Sequence, residues 1–118
     1  MAETVELTLP PHSYVTVMAH DEPNEHSHTF HVTNNGEVPV IAESIHHEAD
    51  DEEHPLVETI APSQSHQFKH GENYKKCVLK VTNNTDQEAV FSATGGKATA
   101  ADLQAKIKPM VKEHTEAV

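Results

Sequence analysis

Cysteine is almost absent from this chain: Cys77 stands alone among 118 residues. A single thiol cannot close an intramolecular disulfide, so the fold has no covalent staple, and a buried, inert thiol is the plain expectation. Tryptophan is missing, and only three Phe and two Tyr occur. The core is therefore expected to be thin and built mainly from Val, Leu, Ile and Ala. Glycine numbers four, and Gly95-Gly96 lacks the further glycines of a phosphate-binding loop. No run approaches the roughly 20 apolar residues that cross a bilayer. The start, Met1-Ala2-Glu3-Thr4-Val5-Glu6, has neither the basic region nor the apolar stretch of a secretion signal. Cytoplasmic synthesis without export or membrane contact is the expectation. The glycosylation pattern at Asn83-Asn84-Thr85 then has no consequence.

Positive charge is also scarce. Eight Lys plus Arg stand against 19 Asp plus Glu, giving a formal net charge of −11. Such a chain is a poor partner for nucleic acid or anionic lipid, and a basic protein surface or a cation suits it better. Eleven histidines gain protons near pH 6.5, so the net charge shrinks in mildly acidic solution. Lower solubility near the isoelectric point follows, and no switch needs to be invoked.

At 118 residues the chain is expected to form one domain, 1–118, with a single core. It carries an internal repeat. Val-Thr-Asn-Asn occurs at residues 32–35 and again at 81–84, and Asn24 matches Asn73 at the same offset of 49. Upstream, Thr8-Leu9-Pro10-Pro11 matches Thr59-Ile60-Ala61-Pro62 at an offset of 51, so a two-residue change reconciles the alignment. The copies run over 5–44 and 57–94, with an acidic, His-rich linker at 45–56.

Each copy reads as four strands. Val5, Leu7 and Leu9 alternate with Glu6 and Thr8, the pattern of a half-buried strand that Pro10 and Pro11 end. Residues 14–18 form a β-branched and aromatic second strand, and 20–25 a polar loop. A third strand around Phe30 and Val32 meets a fourth at Val38 to Ala42 through Asn34-Asn35-Gly36, expected to be a hairpin turn with positive φ. The second copy follows at 56–60, 66–68, 77–81 and 89–93. Eight short strands predict an all-β antiparallel sandwich or barrel made from two pseudo-repeats of four strands, related by a pseudo-twofold axis. Beyond Gly96 the period changes. Ala100, Leu103, Ile107, Met110 and Val111 recur at helical spacing, with Thr99 as cap, predicting an amphipathic C-terminal helix over 98–116 that kinks or stops near Lys108 because of Pro109. It is expected to cover an open end of the sandwich or reach a neighbouring subunit.

Imidazole is the commonest protein ligand for zinc, copper and nickel, so the histidines are the place to look for metal. His26-Ser27-His28 with His31 opens as the metal motif of cupins does, but Val32 and Thr33 stand where that motif needs Glu, and the resemblance ends there. In the repeat, His26, His28 and His31 align with Lys75, Cys77 and Lys80, so no common metal set is retained in both copies. The second cluster, His46, His47 and His54 among Glu43, Glu48, Asp50, Asp51, Glu52 and Glu53, has the density that attracts divalent cations weakly. It lacks the fixed spacing of a calcium loop or zinc site, and a solvated linker accounts for it as well. Nucleophilic catalysis finds little footing. There is no Gly-x-Ser-x-Gly, Ser63 and Ser65 near His66 are unspecific among eleven histidines, and Cys77 with His28 or His70 is no better.

The chain therefore reads as a non-enzymatic structural or interaction module without a cofactor, packing as a homo-oligomer or on a scaffold. A virion component such as a capsid decoration protein is one such assembly, by analogy of fold. The alternative is a divalent-metal-binding protein using His46, His47 and His54.

Overall fold

The computed structural model describes the backbone at residues 4–20, 28–48, 53–70, 74–94 and 100–110, with side chains at 4–17, 30–45, 56–68, 78–94 and 100–110. Alternation sets the strands. β1 (Thr4–Leu9) buries Val5, Leu7 and Leu9 and exposes Thr4 and Glu6. The chain continues through β2 (Ser13–His20), β3 (His28–Asn34), β4 (Val40–Glu48), β5 (Glu53–Ile60), β6 (Ser65–His70), β7 (Tyr74–Asn83) and β8 (Ala89–Thr94), then α1 (Ala100–Gln104) and β9 (Lys108–Pro109). A four-stranded sheet, β1-β8-β3-β6, faces a five-stranded one, β5-β4-β7-β2-β9. All strand pairs are antiparallel. Strands β1 to β8 make a jelly-roll sandwich, and the short β9 extends the second sheet.

Exchanging β1–β4 with β5–β8 turns the order β1-β8-β3-β6 into β5-β4-β7-β2, the order of the other sheet. The two sequence copies thus interleave, each supplying two strands to each sheet. Inward rows from both sheets make one core. All three Phe belong to the four-stranded sheet and are fully buried: Phe30, Phe68 and Phe91. The facing sheet supplies Val15, Val17, Val40, Ala42, Leu79 and Val81. Large rings on one side thus share the core with aliphatic chains on the other, and each ring so buried contributes about 1.5–3 kcal/mol.

The repeated Asn explains the repeated tetrad. Asn34 and Asn83 are both completely buried. The Asn34 amide donates to the carbonyls of Val38 and Ile60 at 2.8 Å each, and its oxygen accepts from the Gly36 N–H at 2.9 Å. The Asn83 amide donates to the carbonyls of Leu9 (3.1 Å), Pro10 (3.0 Å) and Gln87 (2.7 Å), and its oxygen accepts from the Thr85 N–H at 3.0 Å. Each Asn thereby ties its own turn to the end of a strand from the other copy. The turn after Asn34 joins strands in different sheets, so it is not a hairpin within one sheet. The only non-glycine residues with positive φ among those described are His12 (54°) and Ser63 (68°), at matching places in the proline turns. Gly36 serves close approach instead: a Cβ there would lie 2.8 Å from the Val90 backbone nitrogen.

Two expectations change. The segment 45–56, read as a solvated linker, is mostly the paired ends of β4 and β5, with only 49–52 outside the described residues. The expected helix over 98–116 is helical at Ala100–Gln104 only; residues 98–99 and 111–116 lie outside the described residues. Pro109 has no N–H and holds Lys108 extended, so the chain leaves the helix and pairs Lys108 and Pro109 with Tyr14 and Ser13 of β2. The short helix still anchors through buried Leu103. The Gln104 side chain donates to the Thr8 carbonyl at 2.9 Å and accepts from the Thr8 N–H at 3.4 Å, occupying the outer edge of β1 as a neighbouring strand would. The C-terminal segment therefore covers the β1 and β2 edges on one side of the sandwich.

Candidate metal centre

The His-rich ends of β4 and β5 are brought together by their hairpin. His46 lies directly opposite His54, and His47 opposite Glu53. On the other flank of β4, His46 pairs with Cys77 and His47 with Lys76 of β7. Because neighbours along a strand alternate between faces, His46 and His54 share one face and His47 falls on the other. The three histidines picked out by sequence are thus two plus one. Among the described residues no group of three or more His, Cys, Asp or Glu is placed to hold a metal ion.

The row continues onto β2. Val15 pairs with Val81, Val17 with Leu79 and Met18 with Val78, after which a register shift between Met18 and His20 sets His20 opposite Cys77. Without that bulge Ala19 would oppose Cys77, and His20 would take the opposite face. Bulges commonly reposition a side chain next to a functional site. The result is one row across four strands: His54, His46, Cys77, His20. It lies in the alternation phase of the buried residues Val40, Ala42 and Ser44 of β4 and Leu79, Val81 and Asn83 of β7. Directly paired residues have Cβ atoms about 4.5–5.5 Å apart. The full row spans about 15 Å at a strand spacing near 4.8 Å. One ion can therefore use Cys77 and its neighbours, not all four.

Sequence reasoning did not place His20 and Cys77 beside His46 and His54. Nothing local marks them, since the bulge and the pairing register bring together positions 20, 46, 54 and 77. The other candidates separate. His26 lies outside the described residues, His28 pairs with His70 on the four-stranded sheet, and exposed His31 pairs with Gln67 and Thr94. Ser63 and Ser65 are exposed, and His66 packs its ring edge on Phe68 at 4.6 Å rather than serving either hydroxyl.

No family model matches the chain, and no curated protein does. Among solved structures it is similar to that of PirA, with TM-score 0.61 and 11% identity over 76% of this chain and 90% of the other. The Yersinia pseudotuberculosis-derived mitogen aligns at TM-score 0.61 with 8% identity, covering 83% of this chain and 86% of that one. These likenesses establish the sandwich fold alone.

Proposed function

We propose that the domain is a metal-binding module that holds a zinc-, copper- or nickel-class ion at Cys77 with its row neighbours His20 and His46. The observation that carries this reading is the register itself: three residues with imidazole or thiol donors stand directly opposite one another on adjacent strands. Thiolate and imidazole select borderline and soft transition metals over magnesium or calcium, which need oxygen ligands. The expected result of titrating the chelator-stripped, reduced full chain by calorimetry is one equivalent of zinc bound and no comparable binding of magnesium or calcium. Cys77→Ser should weaken zinc by roughly tenfold or more, and removing both flanks with His20→Asn and His46→Asn should abolish stoichiometric binding. Binding that survives both changes would overturn the proposal.

A second reading, the self-associating interaction module, is favoured by the opposite side of the sandwich. There the edge strand β5 exposes Leu56 (42%) and Val57 (56%), whereas the β1 and β2 edges are covered by the C-terminal segment. An uncovered edge bearing apolar residues on both faces is a template for pairing with another chain. On this reading a second copy adds to β5, and light scattering should show a metal-independent oligomer that Val57→Lys dissociates. A wild-type monomer at micromolar concentration would exclude it.

A further inference from the structure

We infer that the outer face of the five-stranded sheet carries an anion site, a lysine-lined cleft that takes the phosphate group of a small, soluble phosphate monoester. The cleft has a volume of about 390 Å³ and is lined by Tyr14, Thr16, Lys106 and Lys108. That volume falls within the range of small-molecule sites. It is more than a free inorganic anion fills, so the phosphate comes on an organic body. Tyr14 and His20 stand near opposite ends of β2, about 20 Å apart at the rise of a strand, and the inference is independent of the metal-binding reading.

Register builds the cleft. Ser13, Val15 and Val17 of β2 are buried, which turns Tyr14 and Thr16 outward. Lys108 of β9 lies directly opposite Tyr14, and Lys80 of β7 directly opposite Thr16, so lysines flank these two residues from both neighbouring strands. The Lys80 ammonium sits over the Tyr14 ring, 4.7 Å from its centroid. Lys106 comes from the turn that leaves α1, where its N–H donates to the Leu103 carbonyl at 2.9 Å. Two of the three lysines are thus delivered by the C-terminal return, which Met110 pins by donating its N–H to the His12 carbonyl at 2.8 Å.

Charge points to an anion. The chain has no arginine, and three of its eight lysines gather here in a molecule of net charge −11. Glu43 lies opposite Lys80 on its other flank, yet among the described residues none of the three lysines is in an ion pair, whereas His12 pairs with Asp86 at 2.6 Å. The Tyr14 ring attracts an ammonium through its quadrupole without neutralising it. Like charges gathered without a counter-charge repel one another, and a dianion placed among them removes that cost. Lysine is a point-charge donor suited to phosphate, and the Tyr14 and Thr16 hydroxyls add neutral donors. Net charge then sets the size of the ligand. A polyanion or an anionic bilayer meets the repulsion of the whole molecule, whereas a small ligand feels chiefly the charges within a Debye length of roughly 8–10 Å. A soluble monoester therefore suits the cleft, and a lipid headgroup held in a membrane does not.

Titration of the metal-free full chain with phenyl phosphate, glycerol phosphate and inorganic phosphate, followed through amide chemical shifts, tests the site without any variant. Saturable shifts centred on Tyr14, Thr16, Lys80, Lys106 and Lys108 are expected with the two monoesters, weaker binding with inorganic phosphate, and none with phenol or glycerol. Added salt should weaken the binding. Lys106→Gln combined with Lys108→Gln should lower the affinity roughly tenfold, whereas Lys106→Arg with Lys108→Arg keeps both charges and should retain most of it. Vesicles of phosphatidylcholine with phosphatidic acid should not bind. The inference is overturned by the absence of a saturable shift with either monoester at millimolar concentration, by shifts centred elsewhere, by unchanged affinity in the Gln variant, or by binding confined to the vesicles.

Discussion

Replacing Asn83 by Ala is expected to lower the unfolding free energy by about 3–5 kcal/mol, a large share of the roughly 5–15 kcal/mol that holds a domain of this size together. The side chain is completely buried. Its amide is the donor to three carbonyls, those of Leu9, Pro10 and Gln87, and its oxygen accepts from the Thr85 N–H and hydroxyl. Truncation leaves at least two of those groups without a partner, at about 1–3 kcal/mol for each. The hydroxyl of Thr85 also donates to the Gln87 carbonyl at 3.0 Å and compensates in part. Asn83→Asp separates shape from hydrogen bonding. It keeps the volume, lacks the amide donor, and brings a carboxylate against carbonyl oxygens, so it should be no better tolerated than Ala. Asn34→Ala, with two carbonyls and one N–H at stake, should fall slightly below Asn83→Ala. Urea denaturation of the three variants measures the order, and a loss under about 1 kcal/mol for Asn83→Ala would mean that the turn is held by other contacts.

The same residue shows what was legible in the sequence. Val-Thr-Asn-Asn is visible twice by inspection, and the alternation of Val5, Leu7 and Leu9 foretells a strand with one buried face. What the tetrad does was hidden, because the bonds of Asn83 reach back to Leu9 and Pro10, some 74 residues earlier. Nor does the order of strands along the chain disclose that the copies interleave. The acidic segment around His46 and His54 looked like a solvated linker because its side chains suit water. Backbone pairing at the end of a sheet is indifferent to that, and the strands simply run on.

The histidine rows were missed for a related reason. Comparing the copies position by position sets His28 against Cys77 and finds no common motif. Pairing instead combines His28 with His70 and Cys77 with His20, residues more than forty positions apart that only register joins. One inserted residue between Met18 and His20 decides which face His20 takes, and no propensity announces it. At the C-terminus the spacing of Ala100, Leu103 and Ile107 was read as one stripe. Leu103 is buried and Ile107 packs against the core as expected, but Ile107 does so from outside the helix, since Pro109 requires extended backbone before it.

Phe68→Ala is expected to be among the most damaging changes in the core. The ring is buried on β6, an edge strand whose only partner in the sheet is β3. It lies directly opposite Phe30 and makes an edge-to-face contact with His66 at 4.6 Å. Truncating a buried Phe costs about 3–5 kcal/mol, from lost transfer energy and from the cavity left behind. An edge strand held on one side has less means to keep its place than β3, which β8 supports on its other flank. Loss of the ring should therefore loosen β6 selectively, and hydrogen exchange should rise at Lys69 and His70 before it rises in β7. The conservative change Phe68→Leu keeps most of the volume and should restore both the stability and the slow exchange of β6. A Phe68→Ala protein whose exchange rises equally in β6 and β7 would show that the ring supports the whole core and not the edge strand in particular.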